Sequence, residues 1–465
     1  MAELYTSRLE RGGVDRGRLG EAMAEERQTY HDAHPRTRAV VAGGTHLLTG
    51  VPMTWMAKWA GGFPLVHDTA AGNLVTDVDG HTYVDFALGD TGAMAGHSPP
   101  ATVAAIEFRA AVRGGLTTML PTEDAEPVAA NLAERFGLPR WSFALSATDA
   151  NRWALRLARM LTGRPKVLVF AHCYHGTVDE TFAVRGEHSA AEQSPGNVGP
   201  PMDVAETTRV AEFNNLTSVE EALRHRDVAC VITEPALTNI GIVLPDEGFL
   251  AGLRDACERH GTLLLIDETH TLSAGPGGMT RTEQLEPDMI VVGKSIAGGV
   301  PIGAYGISAD LAERVTAAAK SGDIDLVDVG GVGGTLAGNA LSLAAARATL
   351  EHVLIADAFA HMCSLAEAYT AGVQKTIDRH RLPWSVVQLG ARAEYRFCAP
   401  APRNGTESAA AHDELLDAYL HLALLNRGVL ITPFHNMALM CPATTEADVA
   451  LHTRVFADVV TAVAS

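Results

Sequence analysis

From position 96 onward, short apolar runs rich in branched and aromatic residues alternate with longer stretches whose apolar positions recur every three or four residues. The short runs fall at 141–145, 166–170, 228–233, 262–266, 289–292 and 304–307 and predict strands, while the stretches between them predict amphipathic helices. Strands that take turns with helices favour a mainly parallel sheet covered on both faces, an α/β architecture. Ahead of this region, 64–86 breaks short apolar runs with Gly and Asp turns. That rhythm predicts a small antiparallel meander with Asp79-Gly80 at a hairpin. Past Thr335 the pattern predicts helices over 341–354 and 358–380, then an α+β tail closing in a helix over 446–463. Residues 1–40 carry mixed charges at helical spacing and predict an exposed helix or arm, and the Gly/Pro/Ser-richer 189–201 predicts a surface loop. The expected division is 1–95 for an N-terminal arm and part of a small domain, 96–345 for a large domain, and 346–465 for the rest of the small domain.

Size and charge narrow the class of protein. A chain of 465 residues exceeds what one hydrophobic core serves, so a large and a small domain are expected. The formal net charge of −19 disfavours nucleic acid or an anionic membrane as partner, since both would repel it. The six cysteines (Cys173, Cys230, Cys257, Cys363, Cys398 and Cys441) have no C-x-x-C spacing, which argues for reduced thiols rather than a metal knuckle or disulfide framework. The N-terminus shows no apolar targeting core and no apolar run reaches 18 residues, so a cytoplasmic enzyme is the expectation.

The candidate chemistry lies where predicted strands end. The strand at 262–266 runs into Asp267-Glu268, and the strand at 289–292 runs into Gly293-Lys294 followed by a glycine-rich turn. Ligands of open α/β sheets collect at the carboxyl ends of strands, so a carboxylate and a lysine share one edge. Taken singly, Asp267 reads equally well as a helix cap and Lys294 as a surface ammonium. Upstream, Ser146-Ala147-Thr148-Asp149-Ala150-Asn151 joins a strand to a helix, a geometry that turns backbone N–H groups and the helix dipole toward an anion. A plain helix cap would use the same residues.

The run IDETHTLSAGPGG…PDMIVVGKSIAGGVPIGAYG resembles the cofactor core of class III aminotransferases, the group that includes ω-amino acid aminotransferases and glutamate-1-semialdehyde aminomutases. The resemblance implies a fold-type I, pyridoxal 5′-phosphate (PLP)-dependent transferase with a mainly parallel seven-stranded sheet in the large domain and a smaller α+β domain built from both chain ends. It further implies that Lys294 holds PLP as an internal Schiff base and that Asp267 keeps the pyridine nitrogen protonated. Ser146, Ala147 and Thr148 stand where the family has its Ser-Gly-Thr phosphate turn, with Ala147 in place of glycine. Tyr174-His175-Gly176 looks like the aromatic-His-Gly element that stacks on the cofactor. Glu234-Pro235 through Asn239 is similar to the family's Glu-Pro-Val-x-x-Asn stretch, and Thr269 replaces a valine that packs on the ring. Gly334-Thr335 matches a signature whose threonine binds the phosphate of the neighbouring subunit, which implies a homodimer. The implied reaction moves an amino group between an amine or amino acid and a 2-oxo acid through PLP and pyridoxamine 5′-phosphate, with Lys294 carrying the substrate Cα proton.

Two departures bear on substrate. Aminomutase-like members place an arginine ahead of a Gly-Gly pair to grip a carboxylate. Anchoring on Gly61-Gly62 puts Trp55 near that place, and anchoring on Gly43-Gly44 gives no arginine either. An indole cannot replace a guanidinium there, although Trp55, Met56 and Trp59 could line an apolar pocket. The glutamate of the same members corresponds to Met437. His270 and His435 are further candidates to touch substrate, and Arg396, read as a surface arginine on a strand, is a weaker substitute for the missing clamp. The alternatives are an aminomutase or racemase using the same Lys294 and Asp267, or a non-catalytic PLP-binding relative.

Overall fold

The computed structural model describes residues 11–186, 190–199 and 203–465, so part of the expected 189–201 loop lies outside the described residues. The chain forms two compact units: a larger one of Pro99–Phe359 with Arg403–Ala409, and a smaller one that runs to Ser98 and includes Ala360–Pro402 and Ala410–Ser465. Among the described residues no helix is long and apolar enough to cross a membrane.

The larger unit is built on seven strands: β1 (Arg140–Ala144), β2 (Lys166–Phe170), β3 (Thr208–Ala211), β4 (Val228–Thr233), β5 (Leu263–Asp267), β6 (Met289–Gly293) and β7 (Gly303–Ile307). Their spatial order is β1-β7-β6-β5-β4-β2-β3. Every pairing from β6 through β3 is parallel, and β7 runs antiparallel to both of its neighbours. β4 and β6 are buried at every position, which is why they read as continuous apolar runs rather than alternating ones. The edge strand β3 carries only the short sequence TRVA behind a helical turn, too brief a pattern to single out from the sequence.

Helix α1 (Ala147–Thr162) follows β1 and buries Ala150, Trp153, Ala154, Leu157 and Ala158 against the sheet. This spacing of three and four residues is one helical face, and each large side chain it removes from water contributes roughly 1.5–3 kcal/mol. Gly163, in a left-handed conformation with φ 66°, ends the helix.

In the smaller unit, the strands His67–Ala71, Leu74–Asp77 and Thr82–Asp85 form the antiparallel meander, joined in parallel by Val429–Leu430. A second sheet combines Ser385–Leu389, Arg392–Arg396 and Met437–Leu439. The charged N-terminal segment forms the predicted helix, Arg16–Ala33, but one face of it is not exposed. Leu19, Met23, Glu26 and Tyr30 form a buried stripe, and Arg16 makes a bidentate ion pair with Asp413 at 2.7 and 3.0 Å. The charges that dominate its sequence occupy the outer faces of a docked helix.

Candidate active site

Asp267 is the last residue of β5, and its register partner on β6 is Val291, so Lys294 follows three residues further along the adjacent strand's exit. The two candidate groups thus leave one sheet edge side by side. Asp267 is buried. Its Oδ2 accepts from Asn151 Nδ2 at 2.9 Å and from His175 Nδ1 at 3.0 Å, and its Oδ1 accepts from the Thr269 backbone N–H at 3.1 Å. Burial alone would raise the acid, but the His175 hydrogen bond and charge, with Thr269 and Asn151, carry it down to about 2. Burial works against the His175 imidazolium, yet the neighbouring Cys173 sulfur and the Asp267 carboxylate hold its proton up to about 10. The pair is an imidazolium on a carboxylate, an ion pair that keeps Asp267 ionised in a dry site.

Glu268 takes a different route. Its carboxylate accepts from the Thr271 hydroxyl at 2.6 Å, the Met279 N–H at 3.2 Å, and the Thr280 N–H and hydroxyl at 2.5 Å each. Burial pushes it up, against those hydrogen bonds. It is fully committed to tying the turn after β5 to residues 279–280. Glu234, the first residue after β4, is also buried. Burial lifts it to about 7, opposed by His175 and by its hydrogen bonds from Thr238.

The turn at Ser146 caps α1: Ser146 Oγ accepts from the Asp149 N–H at 3.2 Å. Two glycines let this turn lie against the strand ends. A Cβ on Gly303 would stand 2.2 Å from the Ser146 carbonyl oxygen, and one on Gly293 would stand 3.0 Å from the Ala147 Cβ. The room that the absent glycine at 147 would have given is supplied by glycine at 293. From the other side, Gly176 (φ 77°) approaches so closely that a Cβ would fall 2.0 Å from Thr148 Oγ1, and the Thr177 N–H donates to that hydroxyl at 3.2 Å. The Tyr174-His175-Gly176 segment therefore closes on the helix start, with Tyr174 half-buried and the His175 carbonyl held by Asn151 at 3.2 Å.

Lys294 adopts a left-handed backbone, φ 51°, at the start of the short turn Lys294–Ala297. Such a conformation in a non-glycine residue stores roughly 1–3 kcal/mol and is found where the fold dictates a side chain's direction. Its Nζ lies 2.8 Å from His270 Nε2. Asn239 is partly buried and donates to the His172 carbonyl at 3.3 Å. Thr335 is exposed in a turn.

The remaining candidates are in the smaller unit. Trp55 is 46% exposed, with its ring edge toward Phe434 at 6.4 Å, and Lys58 lies over the same Phe434 ring. His435 Nδ1 is 3.6 Å from Glu394 Oε1. Arg396, expected at the surface, is buried. Every position of its strand is buried, so alternation could not mark an outer face. Glu394 is the register partner of Met437, so a carboxylate stands across the strand pair from the position where a glutamate was missed.

Among the buried polar atoms of the larger unit that lack a hydrogen-bond partner among the described residues, Asn151 Oδ1, His175 Nε2 and Thr269 Oγ1 belong to residues hydrogen-bonded to Asp267. Buried polar groups are nearly always satisfied, so spare capacity around an ionised carboxylate and a lysine marks room for a polar group. An anion-accepting helix start, a buried anion, a lysine and unspent hydrogen-bonding atoms together fit a phosphorylated pyridine cofactor. Asn151 was visible in the Ser146–Asn151 segment but gave no signal of its contact with Asp267, which joins residues 116 apart.

A sequence profile for class III aminotransferases matches residues 55–459. The chain belongs to the class III aminotransferase family. As such it is PLP-dependent and of fold type I, with a mostly parallel seven-stranded sheet. Among relatives, it is 32% identical over 405 residues to a glutamate-1-semialdehyde 2,1-aminomutase of Neisseria meningitidis, covering 86% of this chain and 90% of the relative. Among solved structures, a lysine-to-alanine variant of a glutamate-1-semialdehyde aminomutase from Pseudomonas aeruginosa, in complex with PMP, is 50% identical with a TM-score of 0.94, covering 97% of this chain and 99% of that one. A β-phenylalanine aminotransferase from Variovorax paradoxus is 26% identical with a TM-score of 0.84, covering 95% and 97%.

Proposed function

We propose that this class III enzyme transfers an amino group between an amine or amino acid and a 2-oxo acid, with Lys294 as the cofactor-bearing lysine and as the base. The observation that carries this reading is the convergence of Lys294, the ionised Asp267 and the Ser146–Thr148 helix start at one sheet edge. When bound, the cofactor supplies an electron sink for the carbanion left by Cα–H cleavage.

The chain's own residues do the rest. Asp267, kept negative by His175 and Asn151, would hold a proton on the cofactor's ring nitrogen. Ser146, Ala147 and Thr148 offer N–H groups and hydroxyls to the phosphate. Tyr174, Thr269, Glu234 and Asn239 would complete the residues that hold the cofactor. Lys294, as a neutral amine, would take the substrate Cα proton and hold it for return. Trp55 and His435 are the proposed substrate neighbours. Thr335, exposed in a glycine-rich turn, is proposed to reach the phosphate site of a second copy, making the active form a homodimer.

The second reading is an intramolecular aminomutase, and the names of the curated relatives and of the 50%-identical structure favour it. Trp55 and Met437, in the places of the arginine and glutamate of those members, favour the intermolecular reaction. Incubation with a ¹⁵N-labelled amine and an unlabelled 2-oxo acid separates the two. Label appearing in a new amino acid supports transamination. Amino migration within one molecule, with no dependence on the 2-oxo acid, contradicts it.

A further inference from the structure

The contact between Lys294 and His270 brings two bases together. A 2.8 Å separation of Nζ and Nε2 is a hydrogen bond, and such a bond between two nitrogens needs one hydrogen and one lone pair. An ammonium at Lys294 therefore faces a nitrogen able to take its proton, and a neutral amine there faces one able to give it back.

Both partners are held in place. Lys294 is set by its left-handed backbone at the end of the fully buried β6. His270 follows Glu268, whose carboxylate is fixed from residues 271, 279 and 280, and the turn is closed by the Leu272 N–H on the Glu268 carbonyl at 2.9 Å and the Ser273 N–H on the His270 carbonyl at 3.2 Å. Asp267, three residues earlier, has both carboxylate oxygens engaged by Asn151, His175 and the Thr269 N–H.

From this geometry we propose that His270 accepts the proton of the Lys294 ammonium and returns it, acting as a second base behind the lysine rather than as a substrate contact. In the step, the N–H bond at Nζ breaks, its electron pair stays on Nζ as the lone pair of a neutral amine, and the proton and the positive charge pass to the imidazole. No oxidant or further reactant is involved. A lysine acts as nucleophile or base only when neutral, and imidazole takes and releases protons readily near neutrality. His270 is a positioning residue for Lys294. The inference rests on reading Lys294 as the cofactor lysine.

The test has two arms. Full-length protein freed of cofactor is treated at neutral pH with a limiting amount of an amine-acylating ester, and labelling of Lys294 is read by peptide mass mapping against the exposed Lys320 and Lys375 as internal standards. His270→Phe is expected to lower relative labelling of Lys294 by about tenfold, and free imidazole to restore part of it. In the holoenzyme, the same variant is expected to slow exchange of the substrate Cα hydrogen for solvent deuterium by about ten- to a hundredfold while Lys294 still carries the cofactor after borohydride treatment. If His270→Phe does not fold, His270→Gln, which keeps a hydrogen-bonding group but takes no proton, is expected to show the same losses. Unchanged labelling and exchange, with the cofactor still trapped on Lys294, overturns the role of His270. Failure to trap the cofactor on Lys294 in the unaltered protein overturns instead the reading of Lys294.

Discussion

At the carboxyl ends of the larger unit's strands, Asp267, Glu268 and His175 are buried with partners matched to their charge. In the smaller unit, His421 and His452 are buried with neither ring nitrogen hydrogen-bonded. His421 meets the edge of the Trp59 ring at 4.9 Å, and His452 lies between Tyr369 and Phe456 at 4.2 and 5.5 Å. Burial lowers these two histidines to about 4 and about 3, so they pack as neutral aromatic rings. One region keeps charge in a dry place by surrounding it with donors, as a site needs. The other buries titratable groups by excluding charge, as a core needs.

The largest expected effect comes from breaking the first arrangement. Asp267→Ala leaves the His175 charge and the Asn151 amide unpaired and is expected to cost about 3–5 kcal/mol, with loss of cofactor retention, measured by thermal unfolding and absorbance after gel filtration. Asp267→Asn, which keeps shape and most hydrogen bonds, is expected to cost less stability yet still abolish turnover, which separates charge from packing.

Next in size is the cradle. Gly303→Ala drives a methyl group against the Ser146 carbonyl and is expected to destabilise by about 1–3 kcal/mol while weakening cofactor binding, read as a raised PLP dissociation constant. Gly299→Ala, with nothing near its Cβ but a left-handed φ of 103°, is a control for backbone strain without the clash.

Acid pH separates the two regions. The His175–Asp267 contact stabilises fully below the ordinary histidine value of 6.5 and is lost as pH rises through about 10. From the carboxylate side it is present above 3.8 and lost as pH falls through about 2. It is therefore intact at both pH 5 and neutral pH. His421 and His452 have depressed values, so they cost nothing above 6.5 and destabilise increasingly below it. At pH 5 each is expected to cost on the order of 2 kcal/mol. Unfolding midpoints should fall between neutrality and pH 5, and His421→Phe with His452→Phe should remove most of that fall.

The smallest effect is expected at Trp55, a proposed substrate neighbour. Trp55→Ala is expected to change stability by less than about 0.5 kcal/mol, given its exposure, and to raise KM for aromatic amines severalfold with little change in kcat.

The contrast also explains what was legible in the sequence. The strands ending in Asp267 and Lys294, and the helix behind Ser146, announce themselves through local apolar pattern and turn residues. β3 does not, because four residues carry too little pattern. The Arg16–Ala33 helix misleads because its charges outnumber the four residues it buries. Asn151 on Asp267, Gly293 beneath Ala147, and Glu394 opposite Met437 are contacts between distant segments, set by sheet order and register rather than by any local motif. The same limit applies to Arg396, whose burial no alternation could reveal on a strand buried on both faces.

The most direct measurement reduces the purified holoenzyme with borohydride and maps the modified peptide by mass spectrometry, alongside the visible spectrum of Lys294→Ala. The account predicts that the cofactor mass is found on Lys294 and that the visible band of the unaltered protein changes in the variant. Cofactor trapped on another lysine, or a spectrum unaltered by Lys294→Ala, would contradict it.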